Sequence, residues 1–204
     1  HHSFIENKGQ WDSKVLFKTR FKGGNLWVEQ GKMLFHLQDY SSFQTAHANP
    51  NFEGESNFYK QHVVHLNFKG AQEVHQLTKE KPTEAYYNFF HGNDERKWQG
   101  GVHGYSEATL HQLYQGIDLK LIEEHEELKY EFHVKPNIDP SIIQLDIQGQ
   151  QKIIIDKEGN LNIHTPLGII REKKPFAYQI INGNIREIKC DFKLKDFEKQ
   201  IVSF

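Results

Sequence analysis

Cysteine is almost missing from this chain: Cys190 stands alone in 204 residues. That excludes an internal disulfide framework and any multi-cysteine metal cage. Excess charge of either sign is missing as well. Twenty-five basic and 27 acidic side chains leave a formal net charge of −2, and the Lys and Arg residues are scattered. Such a balance offers no electrostatic footprint for nucleic acid and no patch for an anionic membrane. No run approaches the ~18 apolar residues that a membrane-spanning helix needs. Nor is there a signal-peptide core, which fits a mature secreted chain and a cytosolic one equally. The G-x-S-x-G elbow, the phosphate-binding P-loop, the dinucleotide fingerprint and the H-E-x-x-H zinc motif are all absent.

What the chain has is aromatic side chains and short periods. Fifteen Phe and eight Tyr accompany few Ala and Leu, a bias toward sheet over helix. IDLKLI (117–122) and LKYEFHV (128–134) alternate apolar with polar residues, which is the signature of half-buried strands. EEHEE (123–127) between them is a hairpin tip. KPNIDP (135–140) carries two prolines and is a loop. IIQLDIQG (142–149) alternates again, and KIIID (152–156) and LNIHT (161–165) form a hairpin closed by DKEGN, where Gly159 supplies a positive φ. The predicted fold is an all-β antiparallel sandwich. Its predicted core includes Leu119, Leu121, Tyr130, Phe132, Val134, Ile143, Leu145 and Ile147, which alternation places on sheet faces.

Other strands are expected at 14–21, 26–37 (a hairpin at Gln30-Gly31) and 62–70, with further strands over 169–196 and a hairpin at Asn182-Gly183-Asn184. Residues 39–59 lose all periodicity and read as a long surface loop. VVHLNFKGAQ (63–72) echoes IIQLDIQGQQ (142–151) in its apolar positions and its glycine, each after a hairpin. Two related sandwich lobes, 1–95 and 96–204, would produce that echo; a single domain over 4–204 is the alternative.

TEAYYNFFHGNDERKWQGGVHGYSE (83–107) crowds aromatics among Gly, Asn and Asp without a sustained period, and reads as an irregular loop. Tyr86, Tyr87, Phe90, His91, Asp94 and Trp98 are its candidate binding residues. Aromatic rings there either stack on a sugar or staple the loop to the sheets. A rival reading is an extracellular hydrolase with its site at 83–112, built from His91, Asp94, Glu95, His103 and His111; it requires two of these to converge within hydrogen-bond reach. No recognised ligand spacing joins the histidines, since His62 and His65 point to opposite sides of a strand. No metal or other cofactor is therefore expected. The carboxylates Glu123, Glu124, Glu126 and Glu127 read as a solvated cluster, and Asp156, Glu158 and Asn160 as a turn rather than part of a calcium loop.

ENKGQW (6–11), YYNFFHGNDERKW (86–98), LYQGIDL (113–119), LKYEFHVKPNIDPSII (128–143), GNLNI (159–163) and KPFAYQ (174–179) together carry a resemblance. The chain resembles a domain of unknown function found near the N-terminus of large secreted and surface proteins of Bacteroidetes-type bacteria. Those proteins often carry SBBP (putative β-propeller) repeats, PKD-like domains and a C-terminal sorting domain for type IX secretion, linked to gliding motility. The resemblance implies export and a location outside the cell. Together with the all-β reading and the lack of a catalytic motif, it leads to the expectation of a non-catalytic module, contacting glycan, a surface protein or neighbouring domains of its own protein. It supplies no catalytic residues. The chain departs from the family pattern at KPNIDP, where Asn137 replaces a glycine; asparagine tolerates a left-handed conformation, so the turn is expected to persist.

Overall fold

The computed structural model describes residues 3–39, 60–90, 92–95, 98–125, 127–196 and 200–204. Among them the fold is an all-β antiparallel sandwich, with a 3-10 turn at Pro140–Ile142. The strands are β1 (Phe4–Glu6), β2 (Val15–Phe21), β3 (Gly24–Glu29), β4 (Lys32–Asp39), β5 (Lys60–Phe68), β6 (Leu77–Phe89), β7 (Gln99–Tyr114), β8 (Ile117–Glu124) and β9 (Glu127–Val134). They continue with β10 (Gln144–Gln148), β11 (Lys152–Ile155), β12 (Leu161–Thr165), β13 (Gly168–Glu172), β14 (Ala177–Ile181), β15 (Asn184–Ile188), β16 (Lys193–Asp196) and β17 (Ile201–Ser203). The segment expected as a loop at 39–59 lies, beyond Asp39, outside the described residues.

The chain forms two compact units, 1–38 with 70–138 and 39–69 with 139–204. The expected join at 95–96 falls inside the first unit, within the β6–β7 hairpin, whose strands pair from Leu77↔Leu110 to Phe89↔Gln99 with two register shifts. In that unit β4, β3, β2, β1, β7, β8 and β9 pair in succession, and β6 takes the other edge of β7. Leu26, Val28, Met33, Phe35 and Phe17 are buried from the β2–β4 meander, and Ala108, Leu110, Leu119 and Leu121 from β7–β8. The core expectation needs one correction here. Leu119 and Leu121 are buried, but their cross-strand partners Phe132 and Tyr130 are half-buried and Val134 is 38% exposed. Strand β9 pairs only with β8 among the described residues, and an edge strand is covered from one side.

In the second unit β16, β17, β10 and β5 pair in succession, β11–β12–β13 form a three-stranded sheet and β14–β15 a two-stranded one. Ile143, Leu145 and Ile147 are buried as expected. The segments 63–72 and 142–151, alike in sequence, are direct neighbours: Leu66 stands opposite Ile147 and Phe68 opposite Leu145. Their likeness has a local physical basis, since neighbouring strands that bury the same face need the same alternation. Asn137 adopts φ +65° at the KPNIDP turn, the left-handed conformation expected of it.

Candidate functional site

The segment 83–107 is not an irregular loop. It is the distal half of the β6–β7 hairpin. Its period is hidden because Pro82, Lys81 at φ +54° and two register shifts break the alternation, and because most of β6 is exposed on both faces. Proline is tolerated there since β6 pairs only with β7 among the described residues.

Strand geometry sorts the aromatic side chains that no loop could have ordered. Adjacent residues point to opposite faces. Tyr87 and Phe89 turn inward and stack at 6.4 Å between ring centroids, and the Tyr87 hydroxyl reaches Ser3 Oγ at 3.5 Å. Phe89 meets Trp11 edge-on at 5.3 Å, and Trp11 meets Trp27 at the same distance. The Lys18 ammonium caps this row, 4.5 Å above Trp27. Burial there, with Arg20 nearby, pulls the Lys18 pKa below its ordinary value. Tyr86 and Phe90 take the other direction and are 63% and 62% exposed.

Trp98, 39% exposed, stands edge-on to Phe90 at 5.9 Å. Its indole Nε1–H donates to the Gly92 carbonyl at 3.1 Å and its backbone N–H to the Glu95 carbonyl at 3.0 Å. The tip is therefore a pair of rings held at a fixed angle, with Tyr86 on β6 behind them. Of the other candidates, Asp94 is half-buried in the tip, and His91 lies outside the described residues.

Of the residues named for a hydrolase site, Glu95 lies exposed in the tip beside Asp94. His103 and His111 both lie on β7 but eight positions apart, roughly 25 Å along a strand. His111 finds different partners, which sequence reasoning missed. Its Nδ1 lies 3.2 Å from Asp118 Oδ2 on β8, and its Nε2 lies 2.6 Å from Thr78 Oγ1 on β6. Asp118 Oδ1 accepts the Gln112 N–H at 2.8 Å. Burial works to raise the Asp118 pKa, but the bonds from Gln112 and His111 outweigh it and hold the carboxyl below its usual range. With Asp118 ionised, His111 donates to it from Nδ1, and its Nε2 shares a hydrogen bond with the Thr78 hydroxyl. These three side chains, one from each of β6, β7 and β8, clip three adjacent strands together. The available signal was the Gln115-Gly116 turn, which returns Asp118 alongside His111.

Two further carboxylates of this unit, Glu107 and Glu6, are buried. Glu107 is paired to Lys81 and to Lys120 at 2.6 Å, and these bonds, Lys120 first, keep its pKa low. Glu6 is pushed up by burial, yet Lys79 at 2.5 Å and Lys8 at 3.2 Å bring it below its ordinary value. Unpaired, either would be costly to bury. Cys190 is half-buried, and burial with Asp191 beside it pushes the thiol up, away from nucleophilic form. No three His, Cys, Asp or Glu side chains stand together to hold a metal ion among the described residues.

The DKEGN turn uses its carboxylate internally. Asp156 Oδ1 accepts the N–H groups of Glu158 and Asn160, at 3.0 and 2.9 Å, and Oδ2 accepts Asn162 Nδ2 at 3.0 Å. The Asn162 bond, then those of Asn160 and Glu158, against a smaller rise from burial, hold Asp156 at about 2. The folded hairpin therefore favours the carboxylate. Its contribution is complete above the ordinary value of 3.8 and is lost as pH falls through about 2. An NMR titration is expected to place the Asp156 midpoint near 2, and Asp156→Asn to remove that acid-side loss of stability. A midpoint at the ordinary value would show the bonds absent in solution.

A model of the family described as Domain of unknown function (DUF7948) matches residues 4–204. No curated protein and no solved structure matches the chain.

Proposed function

The chain belongs to the DUF7948 family of domains of unknown function, and from that premise we propose that it is a non-catalytic β-sandwich module of a secreted, multidomain cell-surface protein, binding carbohydrate at the tip of the β6–β7 hairpin. One observation carries the reading: Tyr86, Phe90 and Trp98 present open rings at a hairpin end, with Trp98 held by its own indole hydrogen bond. Large aromatic rings gathered on one part of the surface and left open to water mark a contact surface. A ring fixed before binding loses little freedom on complex formation, which is where affinity for a sugar's apolar face originates. The resemblance to domains of exported Bacteroidetes-type proteins supports the placement outside the cell.

A glycan array probed with the purified chain tests it. At least one glycan class is expected to bind, and Trp98→Ala or Tyr86→Ala is expected to weaken that binding about tenfold or more, equivalent to about 1.4 kcal/mol. Both positions are exposed, so the circular dichroism spectrum should not move. An array without signal, or binding indifferent to both substitutions, would rule out the tip as a glycan site.

A further inference from the structure

The second unit carries its own exposed apolar surface, on the β14–β15 hairpin. These strands pair with each other alone among the described residues. Register sets Ile180 opposite Ile185 and Tyr178 opposite Glu187, so Tyr178, Ile180 and Ile185 share one face. Phe176 continues that face, its ring 5.8 Å from Tyr178. Ile180 is 68% exposed and Ile185 71%; Phe176 and Tyr178 are open as well. A lone two-stranded ribbon is marginal in water, and one that also bares its β-branched and aromatic residues needs a cover.

Area and charge indicate which cover. A fully exposed side chain of this size shows about 200 Å², so the four residues leave roughly 500 Å² of apolar surface, at the upper end of what a monomer exposes. Two such faces brought together remove on the order of 1,000 Å², the least that a specific interface needs and too little for an obligate one. The face offers almost nothing to a charged partner. Glu187 is its one charged strand residue, while Arg186 and Gln179 pair on the opposite face. What fits is another uncharged ribbon of the same width, and the chain itself supplies one.

We propose that the β14–β15 hairpin is a self-association surface. Two copies lay Phe176, Tyr178, Ile180 and Ile185 on the same residues of the other in a two-fold, sheet-on-sheet contact. The contact is reversible, so association follows protein concentration. It is independent of the glycan reading, since it uses a different hairpin.

Sedimentation velocity on the whole chain, from about 1 to about 200 μM, is the test, spanning the range in which an interface of this size dissociates. A shift from monomer to dimer is expected across the series. Ile180→Glu and Ile185→Glu should each hold the chain monomeric throughout, with unchanged thermal unfolding at low concentration because both side chains are solvent-exposed. Gln179→Lys, on the other face of the same strand, should dimerise like the parent. A parent chain that stays monomeric would overturn the proposal and leave the face to a strand or domain of different origin. A dimer that survives Ile180→Glu would place the interface elsewhere, and loss of dimer in Gln179→Lys equal to that in Ile180→Glu would exclude the face-on-face arrangement.

Discussion

Leu145→Ala should lower the unfolding free energy by about 2–5 kcal/mol. Leu145 is wholly buried on β10, opposite Phe68 on β5 and Val202 on β17. Strands on both sides restrict how far the surroundings can collapse into the space the isobutyl group leaves, which sets the cost toward the upper part of that range. Urea unfolding should show a lower midpoint with an unchanged slope. Val134→Ala, on the exposed end of edge strand β9, is expected to cost under about 1 kcal/mol. A loss below about half a kcal/mol at Leu145 would mean that β10 buries its other face.

Glycine 149 should be as sensitive, for another reason. It ends the β10 segment at φ +91°, and a Cβ there would collide with the Val63 carbonyl oxygen on the neighbouring strand. The backbone conformation alone costs a side-chain-bearing residue about 1–2 kcal/mol, and forced movement of the β5 backbone adds about 1–3 kcal/mol. Gly149→Ala should therefore lose roughly 2–5 kcal/mol. Gly70, the counterpart in the echoing segment, has φ +76° but open space where a Cβ would sit. Gly70→Ala should lose the conformational part alone, about 1–2 kcal/mol. Equal losses at the two positions would show that the Val63 contact carries no weight.

These two residues also mark what could be read in advance. Both lie in segments with one buried face, and there alternation reports burial directly: Leu119, Leu121, Ile143, Leu145 and Ile147 are all buried. The same logic explains where reading stopped. β6 buries little on either face, so hydrophobicity leaves no period in it, and its register shifts between Pro82 and Tyr86 and between Tyr87 and Phe89 erase what remains. The tip aromatics were visible as residue types, but their division into an inward row and an outward pair follows from strand alternation, which could not be invoked for a loop. Val134 was misplaced because alternation assigns a side chain to a face without saying how far the covering layer extends. Thr78, His111 and Asp118 come from three strands joined across a bulge, where Gln112 sits at φ +56°. Their contact depends on register, which composition does not carry.

The interleaving of the two units has a kinetic side. Phe4 pairs with Tyr105, and Leu66 pairs with Ile147, so the first strand of each unit waits for a partner far along the chain. Loop closure of that span must precede the contacts that stabilise it, which makes folding slow for a protein of this size. Synthesis from the N-terminus leaves β5 without β10 until the first unit's last segment has emerged. A nascent or truncated chain therefore exposes unpaired edges of β1 and β5, and the module can be moved between proteins only as one uninterrupted piece.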